Sequence, residues 1–165
     1  MEDSTAIMQA EQRMIRHTVA TVVYRGSKTL RDAPKAFETF RIRPNARAPV
    51  EILAHLGDLF DWALSIAKGE ESWHDSRPLA WEQEIDRFYS SVKAFDEYLA
   101  QHVSLACSPD KLFQGPIADA LTHVGQLAML RRLCGVPIRG ENYFKADIAV
   151  GQVGPVQPTP VREFD

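Results

Sequence analysis

Two segments far apart in the chain each set one histidine on an apolar helical face. The first is Pro49-Val50-Glu51-Ile52-Leu53-Ala54-His55-Leu56-Gly57-Asp58, and the second is Asp119-Ala120-Leu121-Thr122-His123-Val124-Gly125-Gln126-Leu127. Imidazole and carboxylate groups presented by two helices to a common core are one way a small bundle builds a divalent-metal site. Glu51 and Asp58 lie at i−4 and i+3 from His55 and so share its face. Either can orient the ring through a hydrogen bond, and Asp58 can also bind a metal directly. Asp119 and Gln126 repeat this arrangement around His123. Each residue also has a plainer role: a lone inward histidine is ordinarily a hydrogen-bonded core residue, and a carboxylate in the first turn of a helix favours the helix dipole.

Four helices must position these residues. The first spans about Thr5 to Leu30, with Asp3 or Ser4 as its cap and Met8, Ile15, Val19, Val22 and Val23 as its apolar side. A connector with Pro34 and Pro44 follows. Pro49 opens the second helix, since its missing N–H is an orphan in the first turn anyway. That helix runs to Lys68 and stops at Gly69, with Ile52, His55, Leu59, Trp62 and Ile66 in one stripe. A loop containing Trp73 and His74 leads to a third helix from Leu79 to His102, which carries Ile85, Phe88, Val92, Phe95 and Leu99. Ser108-Pro109-Asp110 reads as a turn, and Gly115-Pro116 as the start of a fourth helix ending at Cys134. The fourth is apolar nearly all round and is expected to be the most buried. Residues 136–165 hold four prolines and three glycines without a sustained period. Tyr143, Phe144, Ile148 and Phe164 predict that this tail packs on the bundle. The expected fold is therefore an all-α four-helix bundle over residues 1–135, with residues 136–165 as an irregular extension of the same domain.

Composition narrows the function. At 165 residues the chain suffices for one domain with a sizeable core. Two cysteines outside any CxxC pair, Cys107 and Cys134, make no disulfide framework and suit a reducing, cytoplasmic setting. The opening residues carry no signal-peptide pattern, and no apolar run approaches the roughly 18 residues of a spanning helix. Residues 51–165 hold seventeen Asp/Glu against ten Lys/Arg, which argues against a nucleic-acid partner. Residues 1–50 are basic, and Arg41, Arg43 and Arg47 cluster there. Such a cluster either attracts an anionic small molecule or forms a solvated loop, and the solvated loop is the expectation. His17 falls on a polar face, while His74 and His102 fall in a loop and at a helix end, where exposure is expected. Trp62 shares the His55 face, by default as a packing residue. No GxSxG elbow, phosphate-binding glycine loop or HExxH motif is present.

The run Arg43-Pro44 … Pro49-Val50-Glu51-Ile52-Leu53-Ala54-His55-Leu56, with the later His123-Val124-Gly125-Gln126-Leu127 … Leu130-Arg131-Arg132-Leu133-Cys134-Gly135-Val136-Pro137, resembles the DinB-like superfamily. These are metal-dependent four-helix bundles that include bacillithiol- and mycothiol-dependent S-transferases. The resemblance covers the order of all four helices, with its specific motifs in the second and fourth. It implies a metal held by a histidine of the second helix and an HxxxH pair, followed by Arg-Gly-Gln, on the fourth. His55 matches the first ligand and His123 the second histidine of the pair. Asp119 stands where the pair's first histidine would be, and Val124 replaces the arginine. The implied ligand set is thus His55, Asp119 and His123, two histidines and a carboxylate with open positions, suited to Zn or Ni.

Two functions follow from this reading. One is a metal-dependent enzyme, most plausibly a transferase that lowers the pKa of a low-molecular-weight thiol, or a hydrolase that activates water. In it Glu51 or Asp58 supports the ligands or moves a proton, and the partner is a small-molecule substrate. The other is a non-catalytic small-molecule-binding or stress-associated bundle with a vestigial metal site. The resemblance also implies a homodimer, although the residues themselves show no interface.

Overall fold

The structure is a computed structural model that describes residues 2–165, with side chains described from Ala6 onward. The capping candidates Asp3 and Ser4 lie outside the described side chains. The architecture is all-α, with one pair of two-residue strands. The long helices are α1 (Glu2–Leu30), α3 (Pro49–Lys68), α4 (Trp81–Gln101) and α6 (Ala118–Leu133). Short helices α2 (Lys35–Glu38) and α5 (Pro109–Leu112) lie between them. Strands β1 (Gly140–Glu141) and β2 (Glu163–Phe164) pair antiparallel, with Gly140 opposite Phe164 and Glu141 opposite Glu163. Among the described residues no helix is long and apolar enough to cross a membrane.

The long helices share one core. Val19 and Val23 of α1, Leu53, Leu56 and Phe60 of α3, Phe88 and Phe95 of α4, and Leu127 of α6 are all sealed from solvent. The ring pairs Phe60–Phe88 and Phe60–Phe95 have centroids 6.0 and 6.2 Å apart, the tilted geometry aromatic quadrupoles favour. On α3 the deepest stripe is Leu53, Leu56, Phe60, Ala63 and Ala67, one position round from the stripe expected in the sequence. His55, Trp62 and Ile66 therefore sit at the margin of the buried face, where a side chain meets both core and solvent. Met8, expected on the inner side of α1, is exposed.

Two local boundaries differ from the sequence reading. Ser108-Pro109-Asp110 is a helix start: Pro109 occupies the first turn of α5. Gly115-Pro116 lies inside the helical run that continues from there. Pro116 lacks an N–H and crowds the preceding turn, and a π-helical turn over Phe113–Ile117 absorbs it before α6 begins. The expectation that this last helix is the most buried also fails. Gln126, Met129, Arg132 and Leu133 line an outward face of α6, so α3 is the most enclosed helix.

The C-terminal segment is anchored on α1 by polar groups. Tyr24 donates its hydroxyl to Glu141 at 2.6 Å, and Lys28 reaches both Glu141 and Glu163 at 2.7 Å. Arg25 stacks over the Tyr143 ring at 4.4 Å. Val153 is buried in the core and Ile148 packs against it. Phe144 and Phe164, expected as anchors, are exposed.

Candidate metal centre

Helix α3 carries His55 and α6 carries Asp119 and His123. Pro49 at the first turn and Gly69 at the left-handed C-cap (φ 80°) set the limits of α3. Because α3 and α6 pack side by side, the His55 and His123 rings come to 4.6 Å between centroids, at 55° to each other. Asp119 Oδ2 stands 3.6 Å from His55 Nε2. The Nδ1–H of His123 donates to the carbonyl oxygen of Asp119 at 2.9 Å and faces Asp119 Oδ1 at 3.2 Å. A carbonyl oxygen only accepts, so this contact assigns the Nδ1–H tautomer and leaves the Nε2 lone pair free. Backbone orientation of the remote ring nitrogen is the usual support of a metal-binding histidine.

The chemistry and reach of this set fit a divalent ion. The donor atoms of His55, Asp119 and His123 all lie within 4.8 Å of one another. Donors about 2.0–2.2 Å from one ion stand roughly 3–4 Å apart, comparable with this spacing. The imidazoles are mostly covered, with side-chain exposures of 17% for His55 and 11% for His123, whereas Asp119 is exposed at 46%. Burial holds the His55 pKa below that of free imidazole, and the neighbouring His123 and Arg47 push the same way against Asp119. A neutral ring is the ligating form.

His55 opens onto a cavity of about 340 Å3, whose walls include Arg41, Arg47, Glu51, Asp58, Asp75 and Ser76. The Trp73 ring meets His55 edge-on at 5.5 Å and Trp62 at 5.7 Å. Glu51 is held by other groups. Its carboxylate takes both guanidinium nitrogens of Arg41 at 2.8 and 2.7 Å and accepts the Ala48 N–H at 2.7 Å. Arg41 and that cap keep its carboxyl below the ordinary range.

Asp58 is committed as well. Its Oδ1 accepts from Arg87 at 2.8 Å and its Oδ2 from the Ser76 N–H at 2.9 Å. Burial pushes the Asp58 pKa up, but the Ser76 and Arg87 hydrogen bonds outweigh it and hold the carboxyl low. Arg87 is itself bound to fully buried Glu84 at 2.9 Å and to the Ala54 carbonyl. The structure thus brings His55, Asp119 and His123 together and gives Glu51 and Asp58 to arginine pairs at the cavity wall.

Sequence reasoning passed over Asp61 and Asp75 here. His74 is exposed as expected, yet its Nδ1 is 3.2 Å from Asp58 Oδ1 and its Nε2 is 3.4 Å from Asp61 Oδ2. Asp58, Asp61 and His74 form a second group with donor spacing suited to a cation, and His55, Asp58 and Asp75 a third. The Asp58/Asp61 pair at i,i+3 was legible. The return of the following loop onto it was not. His17 and His102 are exposed, and His102 stacks on Tyr98 at 4.1 Å. Compared with known proteins, the chain matches no family model, no curated protein and no solved structure.

Proposed function

We propose that the chain is a DinB-like four-helix bundle and a divalent-metal-dependent enzyme, with His55, Asp119 and His123 as the protein ligands. The observation that carries this reading is the convergence of three donors from two helices within 4.8 Å, one of which, His55, lines an open cavity. The helix order and the spacing of His55 and His123 support the family assignment. Two histidines and one carboxylate suit Zn or Ni and leave coordination positions for a small molecule. A bound ion would supply Lewis acidity, lowering the pKa of a thiol or water that reaches it. This favours S-transfer from a low-molecular-weight thiol, with hydrolysis as the other outcome.

The chain's own residues do the rest. The Asp119 carbonyl fixes the His123 tautomer, burial favours the uncharged form of His55, and the Trp73 ring packs edge-on against His55. Glu51 and Asp58 hold the cavity walls through Arg41 and Arg87 and are the chain's carboxylates placed beside His55. Metal analysis of protein purified without an affinity tag tests the reading. About one equivalent of ion is expected, lost in both His55→Ala and His123→Ala. Protein that takes up no Zn or Ni after reconstitution would instead be a non-catalytic binding bundle.

A further inference from the structure

Among the described residues, Arg47 is the cation of this cavity without a protein counter-ion. Arg41 is saturated by Glu51, and Arg87 by Asp58 and Glu84. Arg47 is exposed and makes no ion pair among the described residues, yet it lines the cavity into which His55 opens. Glu51 and Asp58 are charge-paired with Arg41 and Arg87, so Asp75 is the one lining carboxylate without an ion pair among the described residues.

On its other side Arg47 borders an apolar groove. Ala46 and Arg47 form the wall common to the His55 cavity and to a depression of about 250 Å3 lined by Ile42, Ile52, Met129, Leu130 and Leu133. Ile42, Met129 and Leu133 are 57%, 50% and 53% exposed. Scattered apolar side chains on a surface need no explanation. Here three of them flank one unpaired guanidinium beside the candidate ligands, and an arginine fork prefers a planar anion such as a carboxylate.

We infer that this site takes an amphipathic small anion, a carboxylate head paired with Arg47 and an aliphatic body laid along the Ile42–Met129–Leu133 groove. The inference rests on the proposed function, because it names the substrate class of the same cavity. Orientation follows from the shared wall: with the head on Arg47 and the tail in the groove, substituents near the head face His55 and the ion.

Calorimetric titration of the full-length, zinc-reconstituted protein with butanoate, octanoate and octan-1-ol tests it. Affinity is expected to rise about threefold per added methylene, since each CH2 leaves water. Octanoate is expected to bind at least tenfold more tightly than octan-1-ol, and Arg47→Gln to abolish that difference while leaving octan-1-ol unchanged. The double variant Met129→Asn/Leu133→Asn, at exposed positions, is expected to flatten the chain-length dependence and leave butanoate unaffected. Octanoate binding that ignores both Arg47→Gln and chain length overturns the inference. Zinc uptake is measured on the same samples. Zinc bound without Arg47-dependent octanoate binding defeats this inference alone, whereas Arg47-dependent octanoate binding without zinc defeats the metal reading alone.

Discussion

Asp119 and His55 meet across the α3–α6 interface, with Oδ2 3.6 Å from Nε2, while the backbone carbonyl of Asp119 holds His123 one turn later on its own helix. One residue thus presents a carboxylate to one histidine and orients the other through its main chain. The side chain can be changed without disturbing the backbone contact.

Asp119→Ala is expected to lower zinc affinity about 100-fold or more, because it removes a ligand and not merely a supporting partner. Asp119→His is expected to retain binding, since imidazole suits Zn and Ni equally. Competition titrations with a chromophoric chelator read both. Unchanged affinity in Asp119→Ala would rule the carboxylate out as a ligand, and because the helical run is continuous from Pro109 it would have no helix-terminus role to fall back on.

Asp58→Asn is expected to cost about 1–3 kcal/mol, because Arg87 loses one of its two carboxylate partners in a mostly covered position and keeps Glu84. The same pair contributes to acid stability. The folded-state pKa of Asp58 lies below its ordinary 3.8, so its contribution is fully present above that value and is lost as pH falls through the lower, folded one. Denaturant midpoints against pH are expected to fall less steeply below about pH 4 in Asp58→Asn than in the parent.

Gly57→Ala is expected to destabilise by about 1–3 kcal/mol, although alanine is the better helix former. A Cβ at Gly57 would stand 2.9 Å from Arg87 Cζ, and that guanidinium is held by Asp58, Glu84 and the Ala54 carbonyl. Urea unfolding measures the change. A midpoint at or above that of the parent would show that Arg87 moves aside freely.

Glu141→Ala is expected to loosen the C-terminal segment, leaving Tyr24 and Lys28 without an acceptor they share in a buried position. A loss of about 2–3 kcal/mol is expected. Tryptic cleavage at Arg139 and Lys145 is expected to accelerate, because Lys28 then holds only Glu163. Equal cleavage rates for the two proteins would locate the anchoring elsewhere, at Val153.

Much of the helical organisation was legible in local chemistry. Pro49 and Gly69 bound α3 because a first-turn proline loses nothing and a left-handed cap suits glycine, constraints that act within a few residues. Phe88, Val92, Phe95 and Leu99 recur at helical spacing and are buried as a stripe must be. The same period placed His55 and His123 each on a largely covered face. Local rules went astray where packing decides. Met129 and Leu133 are apolar yet half exposed, bordered but not covered by the Ile42–Arg47 connector among the described residues, and Phe144 is 96% exposed while Glu84 is fully buried behind Arg87.

Only the tertiary structure brought Asp119 to His55, turned the His74 loop onto Asp58 and Asp61, and left Arg47 unpaired while committing Glu51 to Arg41. Periodicity reports which face of a helix turns inward. It carries no information about which residues of another helix stand opposite, or which of several arginines a carboxylate will choose. Those pairings depend on the rotation and stagger of packed helices, which the whole core sets together.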